Sequence, residues 1–212
     1  MADKHVVISI GRQCGSGGHE VGEKLAERFG LKLYDRNLID LLAEQMGKDV
    51  EAVAKMEERP SGLFGSRKGG FAAKEKDFMN RLSKSDELYL QERALIQKLA
   101  TEESCVIVGR GANGILEGYP DVLRLYIYAD EEFKLPRVKE QFKIEFDSDA
   151  RKKMEAMDKA RREYFEFYSG KTWGSYDHHD LMINTAVLGI DGTVDLIASV
   201  VEKKFGLKAA EQ

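Results

Sequence analysis

Residues 5–22 read His5-Val6-Val7-Ile8-Ser9-Ile10-Gly11-Arg12-Gln13-Cys14-Gly15-Ser16-Gly17-Gly18-His19-Glu20-Val21-Gly22, and this stretch decides the fold. Val6–Ile10 is a short β-branched run that reads as a buried strand. From Gly18 an amphipathic helix begins, with Val21, Leu25 and Phe29 at four-residue spacing and Gly30 as its stop. Between them lies a glycine-dense loop. A strand aims such a loop, glycines let backbone N–H groups crowd one point, and the helix N-terminus adds partial positive charge, which together suit a phosphate. The common form of the loop is G-x-x-x-x-G-K-[ST]. With Gly15-Ser16-Gly17 at the tip, Arg12 takes the slot of the first glycine, Gly18 that of the lysine and His19 that of the Ser/Thr. The amide cradle is retained, while the usual cation and the hydroxyl that holds Mg²⁺ are replaced.

Outward from this loop, strands alternate with helices. Leu31–Tyr34 is a second strand, with Asp35-Arg36 at its end, and residues 37–46 are helical, as are 49–58. Arg59–Gly70 holds four glycines and a proline and reads as a mobile loop. Helices are expected over 71–82 and 86–102. Ser104–Val108 is a strand ending at Gly109-Arg110-Gly111, and a short helix over 112–117 leads to a strand over 122–128. Two charged helices, 130–143 and 148–168, precede a last strand at Leu181–Asn184 and a closing helix marked by Val194, Ile197, Val201 and Phe205. Such alternation implies a parallel sheet with right-handed crossovers and helices on both faces. Ligands bind beyond the C-terminal strand ends of these sheets, and the glycine loop, Asp35-Arg36, Arg110 and Asn184-Thr185 all fall there.

Bulk properties narrow the class. The 212 residues fit one domain with a sizeable core. The net charge of −4, from 33 basic and 37 acidic residues, offers no support for nucleic-acid or anionic-membrane partners. Two cysteines, Cys14 and Cys105, form neither a metal spacing nor a disulfide framework. A reducing cytoplasm is therefore expected. The N-terminus has no signal-peptide pattern, and no apolar run approaches the ~18 residues that span a bilayer.

The polar constellations each have two readings. Gly109-Arg110-Gly111 places an arginine fork at a strand end, where it grips a phosphate or makes a surface ion pair. Asp35-Arg36 holds part of a second substrate or simply caps a helix. Asp158, Arg161 and Arg162 lie three and four residues apart on one side of a helix, which suits either a phosphorylated acceptor or ordinary helix pairing. Arg137 with Lys139 and Lys143 reads as a lid or as a solvated face. Tyr164, Phe165, Phe167, Tyr168 and Trp173 read first as core. His178-His179-Asp180 lacks a third partner at ligand spacing, so no metal site is expected there.

Jointly these segments resemble the cytidylate kinase-like family, a branch of the P-loop nucleoside monophosphate kinases. The likeness is carried by Ile8–Gly18, Leu33-Tyr34-Asp35-Arg36, Val106–Ala112, Asp158-Lys159-Ala160-Arg161 with Tyr164 and Tyr168, Trp173-Gly174 and Asp180–Thr185. The resemblance implies an α/β three-layer fold with a five-stranded parallel sheet as a single domain. Its core would comprise 5–36, 104–129 and 180–206, with a helical acceptor-covering insert over 37–103 and a helical lid over 130–168. It also implies ATP as phosphate donor, Mg²⁺ bridging the donor phosphates without assigned protein ligands, and small-molecule nucleotide partners. The backbone of Gly15, Ser16, Gly17, Gly18 and His19, with the Arg12 side chain, would hold the donor phosphates, and Asn184-Thr185 would border the donor base. Asp35, Arg36, Arg110, Asp158 and Arg161 would hold the acceptor. Arg137 and Arg162, with Arg12, would serve the transfer itself. Cytidylate kinases proper carry a lysine where this chain has Gly18 and an arginine where it has Met154. The expected activity is ATP-dependent phosphoryl transfer to a nucleoside monophosphate or similar phosphorylated acceptor. The alternatives are a nucleotide-binding sensor without catalysis and a kinase for a non-nucleotide acceptor.

Overall fold

A computed structural model of the chain describes residues 5–35, 37–51, 53 and 84–210. Arg36, the 59–70 loop, the 71–82 helix and most of the 49–58 helix lie outside the described residues.

Five strands form one sheet: β1 (Val7–Arg12), β2 (Lys32–Tyr34), β3 (Cys105–Val108), β4 (Val122–Tyr128) and β5 (Leu181–Asn184). Their order is β2-β3-β1-β4-β5, and every neighbouring pair is parallel. Parallel strands covered on both faces read as continuous apolar runs, and Cys105-Val106-Ile107-Val108 is buried throughout. The helices are α1 (Gly18–Phe29), α2 (Asn37–Met46), α3 (Lys84–Glu102), α4 (Ala112–Ile115), α5 (Glu131–Phe142), α6 (Asp147–Ser169) and α7 (Thr185–Phe205).

Strand alternation sorts them into layers. Ile8, Ile10, Val106, Leu123 and Leu125 face Val21, Leu25 and Phe29 of α1 and Ile197 and Val201 of α7. Val7, Cys105, Ile107 and Val122 face Leu38 and Leu42 of α2, Ile96 and Leu99 of α3, and Ile115 of α4. A third, smaller cluster joins Cys14 of the glycine loop to Val138 of α5 and Ala150 and Met154 of α6. The crossing point of β1 between β3 and β4 leaves a crevice at the C-terminal strand ends, where α/β sheets bind ligands.

Most element ends fall within two residues of expectation, and two local features bear on the site. β1 runs two residues past Ile10, because β4 offers Tyr126 and Ile127 as register partners for Gly11 and Arg12. This extension carries Arg12 to the sheet rim. The closing helix starts directly at Thr185 and breaks at Gly189, whose φ is 68°. The helix over residues 18–29 ends as expected, with the Gly30 N–H on the Ala26 and Glu27 carbonyls.

Candidate functional site at the C-terminal rim of the sheet

The loop between β1 and α1 is built by a few fixed bonds. The Ser16 hydroxyl lies 2.9 Å from the Gln13 carbonyl and 3.1 Å from that of Ile127, fully buried. Ser16 therefore shapes the loop from within, its amide also meeting the Gln13 carbonyl at 3.4 Å. The Gln13 N–H donates to the Ile127 carbonyl at 3.0 Å. Thr185 is also fully buried, its hydroxyl within reach of the Ser16 carbonyl at 2.8 Å and the Tyr128 carbonyl at 3.2 Å. The first intrahelical bond of α1 runs from Val21 N to Gly17 O at 2.9 Å. The amides of Gly18, His19 and Glu20 therefore precede the helical ladder, and the N-cap Gly17 supplies no side-chain cap. This helix end is a dipole-positive donor array facing the crevice. Gly17 sits at φ 79°, and a Cβ there would lie 2.2 Å from Ile190 Cδ1. α7 thus packs directly onto the loop's tip.

Arg12 leaves the rim toward β3. A Cβ on Gly109 would lie 1.7 Å from Arg12 Nη1 and 2.7 Å from its Cζ. The guanidinium occupies the space that any side chain at 109 would fill. Its Nη2 donates to Asp35 Oδ1 at 3.2 Å, with both side chains largely buried. The other Asp35 oxygen meets His19 Nδ1 at 2.7 Å, while His19 Nε2 lies 3.1 Å from Glu23. The loop's replaced residues, Arg12 and His19, thus converge on one carboxylate at the end of β2.

On the acceptor-like side, Arg110 has φ 55°, between Gly109 at 86° and Gly111 at 64°. Left-handed backbone costs a non-glycine residue ~1–2 kcal/mol, so surrounding contacts must hold it. Arg110 Nη1 donates to Glu92 Oε1 at 3.2 Å, and Glu92 is 1% exposed. Tyr164 of α6 donates its hydroxyl to the other Glu92 oxygen. Burial pushes the Glu92 carboxyl up to about 7, against the Tyr164 hydrogen bond. Asp158 takes the Cys14 N–H at 2.7 Å and pairs with Arg161 at 3.2 Å, while Arg161 also reaches the Arg12 carbonyl at 3.4 Å. Burial raises the Asp158 carboxyl, opposed by the Cys14 amide and the Arg161 charge.

The arginines of α5 and α6 divide. Arg137 of α5 donates to Glu20 at 2.6 Å across the first turn of α1. Its Nε is buried and makes no hydrogen bond among the described residues. Arg162 instead lies over the Trp173 ring, 5.7 Å from its centroid, and is exposed. Asn184 caps α7 by accepting from Ala186 N at 2.9 Å and donates to Asp130 at 3.3 Å.

A single cleft of about 1000 Å³ is lined by Arg12, Gly15, Gly17, Gly18 and His19, by Asp35, Arg110 and Arg161, and by Arg137. Ser16, Asp158, Arg162, Asn184 and Thr185 are not part of that lining. Trp173 and His179 are, although sequence reasoning placed the first in the core and excluded a metal at the second. Glu92 was missed. Its signal was a charged residue in the apolar stripe of α3, between Leu88 and Ile96. Among the described residues no three His, Cys, Asp or Glu side chains form a metal-binding group, and no helix is long and apolar enough to cross a membrane.

Comparison with known proteins accords with this geometry. The sequence profile of the cytidylate kinase-like family matches residues 7–187. A cytidylate kinase of Methanopyrus kandleri is 25% identical over 207 residues, covering 93% of each chain. Among solved structures, an uncharacterized protein from Eubacterium ventriosum is 28% identical with a TM-score of 0.71, covering 93% of this chain and 99% of that one. A shikimate kinase from Bacteroides thetaiotaomicron, 15% identical, shares the fold with a TM-score of 0.51 over 93% of this chain and 98% of its own. The order of strands, the glycine loop at the first crossover and the profile match over most of the chain lead to one statement: this protein belongs to the cytidylate kinase-like family.

Proposed function

We propose that the cleft binds ATP and transfers its terminal phosphoryl group to a nucleoside monophosphate, CMP or a close relative. The observation that carries this reading is the gathering of anion-holding groups from distant parts of the chain in one cleft. The α1 amides and Arg12 line it together with Arg110 and Arg161. An acceptor phosphate oxygen attacks the γ-phosphorus, a new P–O bond forms, and the bond to the β-bridging oxygen breaks with its electron pair leaving on ADP. Such chemistry is mostly positioning and charge neutralisation. The amides of Gly15, Gly17, Gly18 and His19 and the Arg12 guanidinium hold the donor phosphates, while Ser16 supports the loop from within. Arg137, whose buried Nε has no other hydrogen bond among the described residues, reaches over the migrating group. Arg110 and Arg161 hold the acceptor phosphate, Asp35 orients its polar groups, and Asp158 fixes Arg161 and the Cys14 amide from behind the lining. By this geometry Thr185 supports the loop rather than touching the donor, and Arg162 stands outside the transfer.

Mg²⁺ fits this cleft without a dedicated protein cage, because it keeps several waters and takes phosphate oxygens plus one or two carboxylates. Glu20 and Asp35 are carboxylates on the cleft wall that would serve. When bound, the ion would supply charge neutralisation on the donor phosphates.

The test is a coupled assay with MgATP across CMP, UMP, AMP, GMP and their deoxy forms. Turnover with at least one is expected. Silence across the panel from folded protein that binds ATP removes the monophosphate acceptor. A second reading, nucleotide binding without transfer, is favoured by Gly18 in the lysine slot. Thermal melts separate the two, since ligands stabilise only what they bind. A kinase is stabilised by ATP and separately by its acceptor, whereas a binding module responds to one nucleotide.

A further inference from the structure

Glu92 is a carboxylate that the apolar packing of α3 does not explain. It sits on the buried stripe of that helix with Leu88, Leu95, Ile96 and Leu99, where a leucine would be the ordinary choice. Burying a carboxylate is costly unless its oxygens are paired. Here one oxygen meets Arg110 Nη1 at 3.2 Å and the other accepts from the Tyr164 hydroxyl. Glu92 thus joins three elements: α3, the loop after β3, and α6. The neighbouring rung of the same seam repeats the arrangement, with Tyr168 of α6 donating to buried Asp86 at 3.3 Å. Tyr89 of α3 stacks on Tyr168 at 3.9 Å and meets Tyr164 edge-on at 6.2 Å.

The loop after β3 needs such an anchor. Gly109, Arg110 and Gly111 are three successive left-handed residues. Gly111 runs beside Tyr164, where a Cβ would lie in van der Waals contact with its ring at 3.4 Å. We propose that Glu92 is a positioning residue for the acceptor: its ion pair aims the Arg110 guanidinium into the cleft, and its bond to Tyr164 ties that aim to the place of α6. The proposal rests on the reading that Arg110 holds the acceptor phosphate. It goes further by making acceptor binding depend on a residue outside the cleft and on the lid helix.

The experiment is steady-state kinetics with CMP and MgATP on Glu92→Gln, Tyr164→Phe, Arg110→Ala and the Glu92→Gln/Arg110→Ala double variant. Glu92→Gln is expected to raise KM for CMP about tenfold, as for loss of a charged hydrogen bond, with KM for ATP unchanged. Tyr164→Phe shifts KM for CMP in the same direction, and it carries the test should Glu92→Gln fail to fold. In the Arg110→Ala background, Glu92→Gln is expected to add nothing, because the two act as one unit. A purely structural Glu92 would lower activity toward both substrates in either background, and that result overturns the proposal. If Arg110→Ala raises KM for CMP and Glu92→Gln does not, the positioning role alone fails. If Arg110→Ala leaves it unchanged, the acceptor-phosphate reading fails and takes this proposal with it.

Discussion

Gly109→Ala tests how the chain manages without the usual loop lysine. A methyl group at 109 would stand 1.7 Å from Arg12 Nη1 and 2.7 Å from its Cζ, so the guanidinium must leave its seat against β3. The residue also has φ 86°, which costs alanine ~1–2 kcal/mol on its own. Gly118→Ala provides the control: φ is 81°, and nothing lies within 4 Å of its Cβ position. Both variants are expected to lose that ~1–2 kcal/mol in urea melts. Only Gly109→Ala should also release Arg12 from Asp35, a largely buried pair at 3.2 Å. Loss of the Arg12 hydrogen bond to a donor phosphate that this displacement entails is worth ~1.5–3 kcal/mol. At ~1.4 kcal/mol per decade, MgATP binding should weaken about 10–100-fold by titration calorimetry. An unchanged Kd in folded Gly109→Ala protein would refute the idea that Arg12, held in this seat, serves the donor phosphates. Equal weakening in Gly118→Ala would show that backbone strain, rather than displacement of Arg12, was being measured.

Three further outcomes follow from the contacts. Thr185→Val removes a buried hydroxyl that lies 2.8 Å from the Ser16 carbonyl; chemical denaturation should show a loss of ~1–2 kcal/mol, with weaker ATP binding as the loop loosens. Arg137→Ala should lower kcat by at least tenfold, the scale of a lost charged contact in the transition state, whereas Arg162→Ala, over Trp173 and outside the cleft lining, should stay within twofold of the parent by the same assay. Asp180 tests pH linkage: burial alone would raise its carboxyl, but the Arg124 side chain and amide hold it below the usual range. A depressed folded value contributes stability that is present above the unfolded carboxylate range and is lost as pH falls through the folded value. Asp180→Asn should therefore be less stable than the parent near neutrality, and the gap should narrow in acid, as read from melts between pH 7 and pH 3.

The glycine loop and its two flanking elements were readable because each depends on neighbours within a few residues. Val21, Leu25 and Phe29 form a stripe at helical spacing, Gly30 ends the helix, and strand-to-helix alternation leaves few topologies. Arg110 was likewise readable from its flanking glycines. Other parts of the cleft were not. The pairing of Arg12 with Asp35 spans 23 residues, and its contact with Gly109 spans 97. Asp158 was read as paired with Arg161 on its own helix, and it is, yet it also holds the Cys14 amide 144 residues away. Arg162 shares a helix with Arg161 but points at Trp173, because the two are neighbours in sequence and about 100° apart around the axis.

The sequence alone therefore established the order of elements, the parallel sheet and the phosphate-type loop, since periodicity and glycine placement are local properties of the chain. Which side chains share the cleft was decided by tertiary structure. Residues from β1, β2, the loop after β3, and α5 and α6 meet only because the sheet order β2-β3-β1-β4-β5 brings their ends together. The direction of an arginine fork depends on the carboxylate that receives it, and the partners of Arg12, Arg110 and Arg137 lie 23, 18 and 117 residues away.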